Sequence, residues 1–396
     1  MKHINLKPFR EFFRSGSAGG MILLACVVIS LTIANTDWGP LFGNLLATEV
    51  GTSFAGLRYP VLLWINDGLM AIFFLMVGLE IKREMVEGEL SSPKKAILPI
   101  LAAIGGVVVP ASIYFLLNKD HETAVGWGIP MATDIAFALA IITLLGKKVP
   151  ASLKIFLAAL AIVDDLMAIL VIAIFYTSEV HLNYLMYGLG IFVLLVVFNN
   201  LGIKNIFFYV IPGLFIWYFI HHSGIHATIA GVLVAITLPT TPDSTESSLE
   251  KLEHALFKPV NFLIMPLFAL ANTNILIEQE MLGGLFTPLG LGIILGLCVG
   301  KPLGIFLLSW ISVKAGICRL PAGADWTHVI GVGMLAGIGF TMSIFIALLS
   351  FAGNDFLMSE AKFAVLLASL LSGVAGVLFL NRKSKKAKSI KPLAID

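Results

Sequence analysis

Stretches of roughly twenty mostly apolar residues recur about a dozen times along the chain, and that is the length a helix needs to cross the hydrocarbon of a bilayer. They fall at 17–35, 59–80, 96–117, 127–145, 151–176, 183–199, 205–220, 224–239, 257–276, 286–309, 327–350 and 360–380. The shortest two, 205–220 and 224–239, are separated by His221, His222 and Ser223. Composition closes off the alternative of a water-soluble domain. Hydrophobic residues make up 58% of the 396 and charged ones 13%, at a mean hydropathy of +0.96; soluble domains carry about 25% charge. A surface this apolar needs lipid as its solvent. The expected fold is an all-helical polytopic membrane protein, one integral-membrane domain over 1–396.

The formal net charge is +2, which gives no basic field for nucleic acid. Cys26, Cys298 and Cys318 lie far apart and form no C-x-x-C, so neither a zinc site nor a disulfide framework is expected. The start, MKHINLKPFREFFRSGSAGG, is basic and aromatic like an interfacial segment. The apolar run behind it has no small-x-small cleavage pattern and reads as a retained first span. Lys and Arg mark the cytoplasmic side. Lys2, Lys7, Arg10 and Arg14 precede the first span, and Arg382, Lys383, Lys385, Lys386, Lys388 and Lys391 follow the last. Alternate loops carry Lys82, Arg83, Lys94 and Lys95, then Lys147 and Lys148, Lys204, Lys251, and Lys314 with Arg319. The opposite loops hold little beyond Arg58, Lys119 and Lys362, so both termini are expected in the cytoplasm. In the external segment 37–59, residues 48–58 suit either a hairpin or plain loop. The polar stretch 240–254 (TTPDSTESSLEKLEH) gives a cytoplasmic loop at 240–256.

Two segments interrupt the apolar pattern in similar ways: GWGIPMATD (126–134), with Pro130 in mid-span, and GIGFTMS (337–343), with two glycines and polar Thr341 and Ser343. Gly and Pro kink many membrane helices. Interruptions at matching places in a chain also point to a transporter's binding site, where irregular backbone is tolerated because it lines a cavity.

The most informative residues are ionisable ones inside spans: Asp134, Asp164 and Asp165 within LAALAIVDDLMAILVIA, and Lys301 within LGLCVGKPLGIFL. Each costs about 2.5–3.5 kcal/mol in a span, so four cost on the order of 10 kcal/mol. A structural ion pair explains one aspartate with Lys301, and cannot explain three carboxylates against one amine. Successive helical residues point about 100° apart, so Asp164 and Asp165 cannot share one narrow face. One can meet a neighbouring helix while the other faces a cavity. Adjacent buried carboxyls resist being ionised together and titrate as a coupled pair, which suits them to carry protons. Ionised, they offer hard oxygen ligands to a small cation, with Thr133 and Asp134 able to add more. Competition between protons and a metal cation for one site, combined with alternating access, is antiport. Lys301 would balance the carboxylates or compensate the dipole ends of broken helices.

At these residues the chain resembles the NhaA Na⁺/H⁺ antiporters. The stretches that carry the likeness are WINDGLMAIFFLMVGLEIKRE (64–84), IPMATDIAFALA (129–140), KIFLAALAIVDDL (154–166), SGIHATIAGV (223–232), KLEHAL (251–256), GKPLGI (300–305) and GIGFTMSIFIA (337–347), in order along most of the chain. The resemblance implies an inverted repeat over 96–176 and 286–380 with two crossing broken helices. Asp164 and Asp165 become the central cation/proton pair for the transported Na⁺, Asp165 the main ligand. Lys301 pairs with the first aspartate, and Thr133 and Asp134 belong to the first broken helix. It implies an electrogenic homodimer of the bacterial inner membrane that exports Na⁺ or Li⁺ for H⁺, without a cofactor, in sodium and pH homeostasis and salt tolerance. Its external hairpin would aid dimerisation. Glu80, Arg83 and Glu84, on one helical face, with Glu253 and His254, would form a pH-sensing cluster at the cytoplasmic mouth, against the plainer reading of a solvated helix end with positive-inside charge. His226 fits a pH-responsive role, against the plainer reading of a packed or interfacial histidine, and Asp67 is placed in an outer funnel. Trp64, Trp127, Trp217 and Trp310 read as interface anchors or core.

Other classes fit less well. An intramembrane aspartyl protease could use Asp134 with Asp165, but its G-x-G-D signature is absent and Lys301 has no part in hydrolysis. A passive cation channel could use the carboxylates as a filter, yet paired protonatable aspartates beside broken helices suit coupled exchange better. An organic-anion carrier of related fold would be repelled by its own carboxylates.

Overall fold

The computed structural model describes residues 16–177, 180–240 and 246–389. Lys2, Lys7, Arg10, Arg14 and Lys391, and the side chains of Lys147, Lys383, Lys385, Lys386 and Lys388, lie outside the described residues. In chain order the elements are α1 (Gly16–Ala34), α2 (Gly39–Ala47), β1 (Glu49–Thr52), β2 (Leu57–Pro60), α3 (Val61–Val86) and α4 (Pro93–Asn118). A 3-10 segment, Glu122–Met131, precedes α5 (Ile135–Leu144). Then come α6 (Ala151–Phe175), α7 (Leu182–Asn200), α8 (Phe207–His222), α9 (Ile229–Thr237), α10 (Ser248–Asn272) and α11 (Gln279–Gly284). The last are α12 (Pro288–Lys314), α13 (Trp326–Ala336), α14 (Phe340–Ser350) and α15 (Asp355–Ser389).

A helix or a bent helix pair lies at each of the twelve segments expected from the sequence. Among the described residues seven helices are long and apolar enough to cross a membrane alone, and up to ten if each bent pair counts as one span. This is a polytopic helical membrane fold. Two of the bent pairs fall where the sequence is interrupted: Glu122–Met131 with α5 bends by 40° and α13 with α14 by 48°. The segment 48–58 is a hairpin, β1 pairing antiparallel with β2 in the register Val50 to Tyr59 and Thr52 to Leu57. Gly56, at φ 63°, makes the turn that only a residue without Cβ adopts freely, and Arg58 reaches across to Glu49 at 2.9 Å.

The chain forms two compact units, and the division falls inside α1 and inside α6. The first comprises the described parts of Met1–Ile22, Lys94–Asp164 and Glu278–Asp396. Within it α4 and α12 touch backbone to backbone: a Cβ on Gly105 would stand 2.1 Å from the Gly304 carbonyl oxygen. Small residues at a helix crossing permit this approach, and it carries Lys301, one turn from Gly304, into the unit's interior. Buried polar groups fix the corner after α4. The Tyr114 hydroxyl donates to the Thr123 carbonyl at 2.8 Å, and the Asn118 amide to the Pro288 carbonyl at 2.8 Å.

The second unit comprises Leu23–Pro93 and Asp165–Ile277. Its apolar core joins Leu79 of α3, Tyr209 and Ile216 of α8, Val234 of α9 and Leu249 of α10. Here Gly231 lets α9 settle on α3, since its Cβ would lie 2.2 Å from the Ala71 carbonyl oxygen. A single π-type turn, Trp64–Leu69, interrupts α3. It presents the Asn66 amide to Asn272, which donates back at 2.6 Å. Such π-turns often mark functional positions in helices.

Candidate functional site

The two breaks in the first unit meet. The 3-10 segment, with Pro130 inside it, ends at Met131, and Ala132–Thr133–Asp134 runs non-helical before α5. The other break lies at Gly337–Ile338–Gly339, between α13 and α14. A broken helix leaves carbonyls and N–H groups without their i±4 partners, and here each break satisfies the other. The Thr133 hydroxyl donates to the Ala336 carbonyl at 2.9 Å, and the Asp134 N–H to the Ile338 carbonyl at 2.7 Å. In return the Ser343 hydroxyl donates to the Ile129 carbonyl at 2.7 Å.

Asp134, expected as a cation ligand, commits both oxygens to this crossing. Oδ1 accepts from the Phe137 N–H at 2.9 Å and so caps α5. Oδ2 accepts from the Thr341 hydroxyl at 2.5 Å and the Thr341 N–H at 3.2 Å, at the start of α14. One carboxylate therefore serves two helix N-termini, where the partial positive charge favours it.

Lys301 is fully buried. Its ammonium donates to Asp164 Oδ2 at 2.6 Å and to the Met131 carbonyl, at the C-terminal end of the first half-helix. Lys301 thus contacts both a carboxylate and the end of a half-helix, the two kinds of group that its expected roles concern. Asp164 Oδ1 has no hydrogen bond of ordinary geometry among the described residues, while the Thr133 hydroxyl and N–H face the same carboxylate. The first unit thus brings Thr133, Asp134, Asp164 and Lys301 together. Asp165 follows Asp164 on α6 and is itself buried.

Comparison with known proteins matches residues 10–380 to the family described as Na+/H+ antiporter 1. A protein of Flavobacterium johnsoniae named Na(+)/H(+) antiporter NhaA 2 is 66% identical over 387 residues, covering 97% of this chain and 95% of the relative. Proteins of Flavobacterium psychrophilum and Dechloromonas aromatica, each named Na(+)/H(+) antiporter NhaA, are both 50% identical, over 94% and 95% of this chain and 95% and 96% of their own lengths. The chain belongs to the Na⁺/H⁺ antiporter 1 family.

The second unit of this antiporter gathers charge at both ends of α3. At one end Arg83 Nε donates to Glu253 at 2.9 and 3.1 Å, and its Nη1 to Glu84 at 2.8 Å. Glu80 shares the field of Glu253, Arg83 and Glu84. His254 stands apart: it is exposed and pairs with Glu246 at 2.9 Å. Adjacent Lys82 turns the other way, donating to the Ile236 and Leu238 carbonyls, each at 2.6 Å, where α9 ends. A cation there satisfies carbonyls the helix leaves open.

At the hairpin end of α3, Asp67 is buried within the π-turn, its Oδ2 2.6 Å from His221 Nδ1 and its Oδ1 3.7 Å from His226 Nδ1. Trp217 stacks on His221 with centroids 5.6 Å apart and on Trp64 at 6.0 Å, so the Trp217 indole packs between Trp64 and the histidine that holds Asp67. In the sequence His221 stands only as part of the separator between two short spans. Its signal was the polar run HHSGIH inside apolar flanks.

Proposed function

We propose that this antiporter exports Na⁺ or Li⁺ in exchange for H⁺ at Asp164 and Asp165, from the bacterial inner membrane, with both termini cytoplasmic. What supports this reading above all is the buried Lys301 ammonium, held between Asp164 and the Met131 carbonyl at the crossing of two broken helices. An ammonium in that place competes for the oxygens a desolvated Na⁺ needs. The spare oxygen of Asp164, the carboxylate of Asp165 and the Thr133 hydroxyl are hard donors suited to such a cation. Asp134 frames the site by holding both breaks.

Two ionised carboxylates, Lys301 and one Na⁺ sum to zero charge. Replacing the Na⁺ by two protons leaves one positive charge, so exchange in that ratio is electrogenic. Residues 96–176 and 286–380 form the inverted repeat whose rocking exposes the site alternately, as in other transporters built on repeats. No cofactor enters the scheme. Regulation by pH is assigned to Glu80, Arg83, Glu84 and Glu253, with His254 and His226 as further titrating groups and Asp67 as the counter-ion near the outer side. The homodimer, its hairpin contact and the surrounding lipid complete the proposed working state, which serves sodium and pH homeostasis.

The test is the pH gradient across proteoliposomes, followed with a fluorescent probe on adding Na⁺, Li⁺ or K⁺ from neutral to alkaline pH. Collapse with Na⁺ or Li⁺ is expected for the wild type and none for Asp165→Asn. Collapse surviving in Asp165→Asn refutes the site, and no collapse in folded wild type refutes exchange.

A further inference from the structure

Glu360, near the start of α15, is a buried acid that the site above does not use; it is 5% exposed. It meets Thr287, the N-cap of α12, and Gly284, the last residue of α11. Gly284 closes over it so tightly that an added Cβ would come within 2.9 Å of the Glu360 side chain.

The hydrogen count at this contact does not balance for an ionised glutamate. Thr287 Oγ1 lies 2.7 Å from the Gly284 carbonyl oxygen and in hydrogen-bond contact with Glu360 Oε1. A threonine hydroxyl has one hydrogen and two lone pairs. One lone pair accepts from the Gly290 N–H at 3.2 Å. If the hydrogen points to Glu360, no hydrogen stands between Thr287 Oγ1 and the Gly284 carbonyl oxygen, which face each other at 2.7 Å. If it points to Gly284, the contact with Glu360 needs a second hydrogen, and only the carboxyl can carry it. The chain of donors then runs without a gap from the Glu360 O–H to Thr287 Oγ1, and from the Thr287 O–H to the Gly284 carbonyl.

We propose that Glu360 is a second proton-binding site of the antiporter, a carboxylic acid donating to Thr287. On release, the O–H bond breaks, the proton leaves to water, and the Thr287 hydroxyl turns to donate to the carboxylate. The Gly284 carbonyl keeps the Thr287 N–H, at 3.2 Å. The site lies at the end of α15 opposite the basic tail. The proposed topology puts that end outside, where protons come from, and the assignment of side rests on that reading.

Among the described residues few other charges stand on the elements around it, and the Glu280 side chain of α11 lies outside the described residues. On α15 they are Asp355 and Lys362, and Glu278 caps α11. The turn after α4, tied to α12 through Asn118, carries Lys119, Asp120, His121 and Glu122. On α12 the nearest charge is Lys301, fourteen residues beyond Thr287, about 21 Å along a helix. His328 is the titratable group of α13, and α14 has none.

The test is infrared difference spectroscopy of the full chain in lipid, wild type minus Glu360→Gln, as the pH is raised. The expected result is a protonated-carboxyl carbonyl band that Glu360→Gln removes, that disappears with rising pH, and that changes frequency in Thr287→Val. No such band, or one that persists to strongly alkaline pH, overturns the proposal. In the same proteoliposomes Glu360→Gln should shift the dependence of exchange on outer pH, and an unchanged dependence refutes the transport role. A wild type that exchanges nothing refutes the function proposed above, and the band test stands without it.

Discussion

Replacing Lys301 by Met keeps most of the buried aliphatic stem and removes the ammonium that holds Asp164 at 2.6 Å. Both side chains are fully buried, so water cannot take the ammonium's place. Breaking a buried ion pair from one side costs about 3–5 kcal/mol, because a charge is left without compensation, whereas replacing both partners by neutral groups is often close to neutral. The double variant Lys301→Met/Asp164→Asn should therefore be more stable than Lys301→Met alone, although it carries one more substitution. The deficit of the single variant should shrink on acidification, since a proton on Asp164 then does what the ammonium did. The folded single variant takes up that proton, so its stability relative to the double variant rises as pH falls. Thermal unfolding in detergent, read at two pH values, tests both statements. A double variant no more stable than the single, with equal pH dependence, would refute the claim that Lys301 is there to compensate Asp164.

Glu253→Gln removes the carboxylate that Arg83 holds at 2.9 Å; the pH at which exchange turns on should move while the maximal rate stays, and probe-monitored exchange against pH would show it. Gly105→Ala drives a methyl into the Gly304 carbonyl oxygen, 2.1 Å away. Overpacking of this kind costs about 1–3 kcal/mol or more, so the melting temperature should fall, and an unchanged one would mean α4 and α12 part easily. Thr341→Val deletes the 2.5 Å hydroxyl donor to Asp134. Hydrogen bonds to charged groups contribute about 1.5–3 kcal/mol, so unfolding should come earlier, with Thr341→Ser restoring the wild-type midpoint.

The spans were legible because a bilayer demands long apolar runs, and each of the twelve expected segments coincides with a helix or a bent pair. Both breaks were legible from Pro130 and from Gly337 and Gly339, residues that interrupt a helix for local reasons. Partner choice was not. Thr133 bonds to Ala336, 203 positions away, and Asp134 to Thr341, 207 away; no local propensity encodes such pairings. For the same reason Glu253 and His254 looked alike in sequence, yet one faces Arg83 and the other Glu246. Glu360 is not legible as a buried acid because it sits at the first position of an expected span, where a charge reads as a solvated helix end.

The helix breaks and the intramembrane charges explain one another, and this separates the roles of the aspartates. Broken backbone inside a membrane protein needs donors and acceptors that hydrocarbon cannot supply. Asp134 supplies acceptors to three fixed donors, the Phe137 N–H and the Thr341 N–H and hydroxyl. A ligand arriving there would compete with both helix starts. Asp164 Oδ2 is held instead by the end of a flexible lysine side chain, and in the proposed exchange that side chain swings away when the cation arrives, so this oxygen changes partners without unfolding a helix end. Asp134→Asn should accordingly lower stability more than it lowers exchange, since the amide nitrogen turned toward Thr341 would set donor against donor. Asp164→Asn should do the reverse, abolishing exchange in a protein that still folds. Measuring melting temperature and exchange for both variants decides it, and equal losses of exchange with equal melting temperatures would contradict the division of roles.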